Sequence, residues 1–359
     1  MNPLPSARSN LARALFRPLL VLGLVLIAAA ALSLFGIKPP HHRIRMSRLE
    51  IFVILVFFGV TGAVALAALL SIVSLLRMIL SRQRRWDCVR TVTTVVYAAL
   101  GLDMGGVVLY ARFIEPMHLT VHRETVPLAG LAAPVRVVVF SDLHTDPRFP
   151  IDDRLVEVIG QEHPDLLLFL GDSINTASGA QRFHDILARL QAPVKLAIRG
   201  NWDVWYWDDI DLFRGTGFTE LSSGWRQLTV RGVPLRVGAH TYVDAWSPER
   251  VVPAPPPGPG PTIFLYHATD YAYVAARRGI DLYLNGDTHG GQVALPWYGP
   301  LLSIGRRGRE FSHGLYQVEQ TAVFVTAGIG VERSFPLRFL VPPEVTVLDL
   351  VPAVSRESM

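Results

Sequence analysis

Long stretches without a charged residue, in the N-terminal third, most strongly constrain how this chain folds. Residues 18–37 form an uncharged apolar run of 20, and residues 51–76 form a second run of 26. A third run, residues 91–111, is interrupted only by Asp103. An α-helix rises about 1.5 Å per residue, so about 20 apolar residues cross a hydrocarbon core of about 30 Å. A secretory signal would account for the first run alone, and we therefore predict a transmembrane region of about three helices within residues 1–115.

Positive charges around these runs indicate how the region is oriented. The positively charged residues in this part of the chain are Arg8, Arg13, Arg17, Lys38, Arg43, Arg45, Arg48, Arg77, Arg82, Arg84, Arg85 and Arg90. Under the positive-inside rule, the balance places the N-terminus and the loop between the second and third runs in the cytoplasm. We therefore expect a multi-pass protein of the inner cell membrane with its C-terminal domain outside the cytoplasm. The net charge is +4, but the sequence has no stretch in which basic and aromatic residues alternate, as nucleic-acid-binding surfaces often do. We therefore expect the lipid bilayer, and not nucleic acid, as the partner.

From about residue 120 onward, short apolar segments alternate with amphipathic ones. The first predicted elements are strands at 135–140, 166–170 and 194–198, with helices at 152–161 and 183–190 between them. This alternation predicts a parallel sheet covered by helices. Further strands are predicted at 226–237, 263–267, 282–285, 322–326 and 345–350, with an exposed proline-rich loop at 252–261. We therefore assign an α/β domain to residues 133–352, joined to the membrane region by a linker at 116–132.

Polar residues follow several of these strands at the point where each strand ends. The candidate metal ligands are Asp142, His144, Asp172, Asn201, His267, Asp287 and His289. Side chains at the carboxyl ends of strands in an open α/β sheet converge on one crevice. A carboxylate such as that of Asp172 has two oxygens, with which it can bridge two ions about 3.5–4 Å apart. A single Asp or Asn at a strand end can also serve only to stabilise a turn. A metal site is favoured because several of these residues occur together with histidines.

The order of these motifs resembles that of the calcineurin-like metallophosphoesterases. That family carries D-x-H, G-D, G-N-H-[DE], a lone His and G-H-x-H. The present series reads Asp142-Leu143-His144, Gly171-Asp172, Gly200-Asn201-Trp202-Asp203, His267 and Gly286-Asp287-Thr288-His289. The resemblance covers about residues 133–350, and the segments 290–292 and 342–344 are similar to a bacterial membrane-anchored branch. It implies the α/β fold of the family, a calcineurin-like two-sheet αββα sandwich.

The same resemblance implies a ligand set and a mechanism. A first metal would be held by Asp142, His144, Asp172 and His289, and a second by Asp172, Asn201 and His267. A hydroxide between the two ions would attack phosphorus in line, while the cations neutralise charge on the phosphoryl oxygens. The cofactors would be two divalent metal ions (Mn, Zn, Fe or Mg), with Mn favoured.

Two residues depart from the family pattern. Trp202 stands where the family has a histidine that protonates the leaving group, and an indole is a donor without useful acidity. Asp287 stands where the family has a histidine ligand of the second metal, and a carboxylate there favours harder ions. Asp287 is either the substitute ligand or an acid that delivers the proton. Asn201 and Asp287 are thus the candidate catalytic residues, and Trp202 is the candidate substrate-binding residue.

Two functions are compatible with these patterns. The leading hypothesis is a metal-dependent hydrolase of phosphoester or pyrophosphate bonds, acting on a membrane lipid or a lipid-linked phosphate. The alternative is a catalytically impaired, metal-binding regulatory module anchored in the membrane, which the departures at Trp202 and Asp287 would support. The hydrolase is favoured because the chain keeps Asp142, His144, Asp172, Asn201, His267 and His289, which an inactive module would not need.

Overall fold

The computed structural model describes residues 48–80, 88–147, 151–243, 247–302, 305–333 and 335–353. The chain divides into two compact units, Met1–Tyr110 and Ala111–Met359. The first predicted span, residues 18–37, lies outside the described residues. The two units are described separately below.

Two long helices make up the described part of the first unit, α1 (Arg48–Leu80) and α2 (Cys88–Leu109). They approach closely at Gly101, where an added Cβ would lie 2.1 Å from the Cβ of Ala68. Among the described residues, Ile54–Arg77 and Thr91–Met117 are long and apolar enough to cross a membrane. These segments coincide with the second and third predicted spans.

The second unit contains fourteen strands and five α-helices in its described part. The strands are β1 (Thr120–Leu128), β2 (Val135–Phe140), β3 (Leu166–Phe169), β4 (Val194–Ala197), β5 (Thr219–Glu220), β6 (Ser223–Val230), β7 (Val233–His240), β8 (Thr262–Leu265), β9 (Leu282–Asn285), β10 (Ala294–Leu295), β11 (Gly299–Pro300), β12 (Gly314–Val318), β13 (Thr321–Val325) and β14 (Glu344–Pro352). The helices are α3 (Asp152–Gln161), α4 (Ala180–Arg189), α5 (Asn201–Tyr206), α6 (Pro248–Val251) and α7 (Ala272–Arg277).

These strands form two six-stranded sheets and one short hairpin. The first sheet has the order β1-β14-β2-β3-β4-β5, and the second has the order β12-β13-β9-β8-β7-β6. Strands β2, β3 and β4 run parallel, with α3 and α4 in the connections, as the alternating pattern predicts. One core cluster joins the two sheets and includes Val137 and Leu265, both fully buried. A second cluster packs α3 and α4 on the first sheet through Leu155, Ile159 and Phe183. The α/β two-sheet prediction is confirmed.

Two predicted segments differ from the observed ones. The strand predicted at 226–237 is a hairpin of β6 and β7, because Arg231 and Gly232 both adopt positive φ, 51° and 81°, and reverse the chain. The segment predicted as a linker, residues 116–132, contains β1, which pairs in parallel with β14 along its whole length. The proline-rich loop lies between α6 and β8 without regular structure, as predicted.

Candidate metal centre

The candidate ligands come from the carboxyl ends of strands in both sheets. Strand β2 leads to Asp142 and His144, β3 to Asp172, β4 to Asn201, β8 to His267, and β9 to Asp287 and His289. Backbone φ is positive at Asp142 (53°), His144 (44°), Asp172 (59°), Asp287 (70°) and His289 (51°). Left-handed backbone is uncommon outside glycine, although Asp and His adopt it more readily than most residues, and it concentrates at functional sites. The chain therefore turns sharply after β2, β3 and β9, where these five residues leave the strands.

Two glycines allow the strand ends to approach this closely. A Cβ at Gly200 would lie 2.2 Å from Oδ1 of Asp172, and a Cβ at Gly286 would lie 2.5 Å from Oδ2 of Asp142. Real Cβ atoms do not approach other atoms to such distances, so only glycine fits at either position. The G-N dipeptide at 200–201 and the G-D dipeptide at 286–287 thus have a steric reason.

The first ligand group consists of Asp142, His144 and His289, all fully buried. The two imidazole rings stack with centroids 5.0 Å apart, and their Nε2 atoms lie 3.2 Å from each other. Nε2 of His289 lies 3.4 Å from Oδ1 of Asp142. Burial lowers the pKa of His144 to about 4 and that of His289 well below its usual value. Both imidazoles are therefore neutral near pH 7 and present lone pairs, as metal ligation requires.

The second ligand group consists of Asp142, Asp172 and His267. Nε2 of His267 lies 3.4 Å from Oδ2 of Asp172, 3.8 Å from Oδ1 of Asp142 and 3.7 Å from Oδ1 of Asp287. Burial would lower the pKa of His267, but the carboxylates, Asp172 foremost, raise that pKa to about 10. This position therefore stabilises positive charge strongly.

The two groups share carboxylates. Oδ2 of Asp172 lies 3.5 Å from Nε2 of His144 as well as 3.4 Å from Nε2 of His267. Asp142 likewise approaches both His289 and His267. Sequence reasoning placed only Asp172 between the groups, so the double position of Asp142 is an addition from the structure.

The buried polar atoms without a hydrogen-bond partner in the described part of the chain include two of the candidate ligand atoms, Oδ1 of Asn201 and Nε2 of His267. The other ring nitrogen of His267, Nδ1, donates to the carbonyl of Leu170 at 2.7 Å, so Nε2 is the nitrogen left to bind a metal, with loss of its proton. A buried polar group without a partner is costly, and a cation at these atoms would satisfy both. The residues present therefore fit the divalent metals that the motifs imply.

Asp203 fixes the loops that carry these ligands. Its buried carboxylate accepts hydrogen bonds from the backbone N–H groups of Asp172, Ser173 and Gly200, each at 2.9 Å. These contacts join the ends of β3 and β4, because Asp172 follows the first strand and Gly200 the second. Asp203 belongs to the G-N-H-[DE] motif by position, but its role as an anchor becomes visible only in the structure.

Arg338 is a residue of the site that sequence reasoning missed. It is fully buried and donates hydrogen bonds to the carbonyls of Gly330, Ala327 and Val341. Its Nη2 lies 3.4 Å from Nδ1 of His289. Burial lowers the pKa of Arg338 to about 10, so the guanidinium stays charged near pH 7. It places a fixed positive charge beside the first ligand group, which helps to keep His289 neutral.

Trp202 lies directly against the first ligand group. Its ring meets that of His144 edge to face, with centroids 5.2 Å apart and an interplanar angle of 86°, and it contacts Tyr206 at 5.1 Å. Its backbone N–H donates to Oδ1 of Asp172 at 2.9 Å. The indole thus lines the centre at the position that the family motif gives to a histidine.

Asp287 lies beside the second ligand group. Its backbone N–H lies 3.3 Å from each carboxylate oxygen of Asp142, and its own Oδ1 lies 3.7 Å from Nε2 of His267. Asp287 therefore faces a candidate ligand of the second metal, as the ligand hypothesis requires.

We expect Asp287→Asn to weaken binding of a divalent metal and to lower activity in proportion. The reason is that the variant removes one of the negative charges facing His267. Titration of the chelator-stripped protein with Mn²⁺ measures the affinity, and supplying excess Mn²⁺ should restore part of the turnover. Unchanged Mn²⁺ affinity, combined with slower cleavage of poor leaving groups only, would identify Asp287 as an acid instead.

Comparison with known proteins agrees with this geometry. A two-sheet α/β fold with buried carboxylates and imidazoles at its strand ends fits the class of metal-dependent hydrolases. The family model described as calcineurin-like phosphoesterase matches residues 135–291. The chain is 30% identical over 276 residues to the uncharacterized metallophosphoesterase YkuE of Bacillus subtilis, covering 70% of this chain and 93% of that protein. The chain belongs to the calcineurin-like metallophosphoesterase family.

A second protein and a solved structure are also similar to this chain. Phosphodiesterase YaeI of Escherichia coli is 29% identical over 259 residues, covering 67% of this chain and 92% of YaeI. The solved structure of TT1561 of Thermus thermophilus aligns with a TM-score of 0.33 and 14% identity over 54% of this chain and 90% of that one.

Proposed function

We propose that this phosphoester hydrolase uses two divalent metal ions and acts on a membrane lipid or a lipid-linked phosphate or pyrophosphate. Asp142, His144, Asp172 and His289 would hold one ion, and Asp172, Asn201, His267 and Asp287 would hold the other. The observation that carries this proposal is the position of Oδ2 of Asp172 between His144 and His267, at 3.5 and 3.4 Å. When bound, such ions supply Lewis acidity and a nucleophile at neutral pH.

The chain's own residues support the remaining parts of the reaction. Arg338 is a buried positive charge beside His289, which adds to the positive potential that a phosphate group requires. The half-buried Trp202 offers an apolar surface against which part of a substrate can pack. We infer that manganese is preferred, because carboxylate and amide oxygens outnumber imidazoles in the proposed ligand set.

A membrane substrate is supported by contacts between the site and residues that follow α2. Ala111 accepts a hydrogen bond from the backbone N–H of Arg338, and the carboxylate of Glu115 accepts one from Val341 at 2.7 Å. Both acceptors lie in the second unit, in the residues that follow α2 along the chain. The polypeptide that follows α2 is therefore bonded to the segment that carries Arg338.

Trp297 is the second support for a lipid substrate. It lies in the turn between β10 and β11 with its side chain fully exposed (104%) and its φ at 62°. The hairpin is bonded to Phe339 through Gln292 and Ala294, and so to the same segment as Arg338. Tryptophan favours the interface between membrane and water, and we propose that this indole enters the headgroup region.

Trp297→Ser is accordingly expected to lower kcat/KM on phospholipid-type substrates in vesicles, with the full chain reconstituted into them. Loss of the contact between the indole and the membrane interface should cost about 1 kcal/mol of binding free energy, which corresponds to roughly a five-fold decrease in kcat/KM. Cleavage of a soluble aryl phosphate should not change. Leu315→Ser, at an exposed leucine on β12, is the matched control. Equal losses on vesicular and soluble substrates would argue against a membrane contact.

We propose that the catalytic unit lies outside the cytoplasm, because arginines are concentrated in the loop between the second and third apolar runs of the sequence, and such loops face the cytoplasm. Alkaline phosphatase fused after Met359 should then be active, while a fluorescent protein fused there should stay dark. The reverse pair of results would place the catalytic unit in the cytoplasm and would change the set of candidate lipid substrates.

A further inference from the structure

Two histidines and a glutamate meet at a place separate from the candidate metal centre. His122 lies on β1, Glu344 begins β14, and His313 directly precedes β12 of the other sheet. Nε2 of His313 lies 2.5 Å from Oε2 of Glu344, and Nδ1 of His122 lies 3.5 Å from the same oxygen. The two rings are nearly perpendicular, at 84°, with centroids 5.5 Å apart. The three potential ligand atoms all lie within 4.8 Å of one another.

A further carboxylate supports His122 from behind. Oε1 of Glu124 lies 2.9 Å from Nε2 of His122, so this nitrogen carries the hydrogen and donates it. In the neutral ring the lone pair is then on Nδ1, the nitrogen that faces Glu344. Carboxylate–histidine pairs of this kind orient metal-ligating imidazoles and make them more basic.

Glu344 is anchored in a corresponding way. Its Oε1 accepts hydrogen bonds from the hydroxyls of Thr346 at 2.8 Å and Thr326 at 3.4 Å. This leaves Oε2 directed at the two histidines. The Glu344 side chain is only 5% exposed, and a buried carboxylate needs a positive partner. Each of these two ligands thus offers one atom to a common point while its other polar atom is engaged elsewhere.

The common point is open on one side. A cavity of about 230 Å³ is lined by His313, Glu344 and Gly290, among other residues. The His122 and His313 side chains are 27% and 38% exposed. An ion could therefore enter, and a water molecule could complete its coordination. Gly290 directly follows His289, so the cavity adjoins the loop of the candidate metal centre.

We propose that His122, His313 and Glu344 bind a further divalent cation of the zinc type, separate from the candidate metal centre. Two imidazole nitrogens and one carboxylate oxygen form a ligand set that suits Zn²⁺, with a fourth position left for water. With neutral imidazoles, Glu124 and Glu344 together carry two negative charges, which a divalent cation neutralises. The ion would tie β1 and β14 of the first sheet to the chain before β12 of the second.

Zinc counting on the full chain in detergent tests this site. The protein is stripped with a chelator, equilibrated with Zn²⁺, and its bound zinc is measured by mass spectrometry. We expect His313→Gln to bind one zinc ion fewer per chain than the unaltered protein. His163→Gln is the matched control, because His163 is exposed and contributes to no group of potential ligands in the described part of the chain, and it should bind as many ions as the unaltered protein.

Glu124→Gln provides a second, milder test that keeps all three ligands. Removing a supporting carboxylate lowers metal affinity by about 10- to 100-fold, and competition with a zinc indicator measures the change. Asp172→Ala should retain the extra ion, which separates this site from the candidate metal centre. Equal zinc content and equal affinity in His313→Gln, Glu124→Gln and the unaltered protein would show that the cluster is a hydrogen-bonded ion pair only.

Discussion

Replacing Asp172 by asparagine is expected to remove bound divalent metal and to lower phosphoesterase activity by about 10³-fold or more, or about 4 kcal/mol. Oδ2 of Asp172 is the atom that faces both His144 and His267. The asparagine keeps an oxygen for the hydrogen bond from Trp202 N–H, so the fold should persist. Metal content and kcat/KM on an aryl phosphate with added Mn²⁺ are the measurements.

Asp153→Asn provides the control for the change of charge. Asp153 is 89% exposed and pairs only with Arg189 at the surface among its described contacts, so both metal content and activity should be unaltered. Full activity of the Asp172 variant, or of the unaltered protein in excess EDTA, would contradict the two-metal proposal.

The second large effect concerns the leaving group. Because an indole occupies the position of the family histidine, protonation of the departing oxygen should be missing. General-acid assistance is worth about 10²- to 10⁴-fold, so aryl phosphates and pyrophosphates should be cleaved faster than simple alkyl esters by a factor in that range. Comparing kcat/KM across a series of leaving groups of increasing pKa measures the dependence.

Two variants at position 202 test the cause. Trp202→His should reduce the difference between aryl and alkyl substrates by restoring an imidazole beside His144. Trp202→Phe keeps an aromatic ring without an acidic group, and its preference should match that of the unaltered protein. Equal rates on aryl and alkyl phosphates, with the chemical step limiting, would refute the argument.

Much of the catalytic unit could be predicted from the sequence. The strand at 135–140 and the helix at 152–161 agree with β2 and α3 residue for residue, because buried strands and amphipathic helices leave strong periodic signals. The seven candidate ligands are predicted at strand ends, and in the structure six pairs of side-chain atoms from their imidazoles and carboxylates lie 3.2 to 3.8 Å apart. Their role as ligands stays a prediction.

Other features left no readable signal. Strand β1 carries Arg123 and Glu124 and resembles a linker in composition, and its partner β14 lies more than 200 residues away in the sequence. Arg338 binds main-chain carbonyls, which every residue possesses, so no motif marks it. The approach of His122 and His313 depends on the packing of two sheets. Contacts of these kinds are set by tertiary structure and not by local pattern.

The pairing of β1 with β14 also determines where a soluble fragment of this protein can begin. A fragment that starts at residue 133 would lose β1 and leave one edge of Glu344–Pro352 unpaired. Exposed edges of this length promote aggregation. Starting at Ala111 would keep β1 and also the hydrogen bonds that Ala111 and Glu115 make with Arg338 and Val341. The fragment suited to crystallisation and to substrate screening is therefore about twenty residues longer than the sequence motifs suggest.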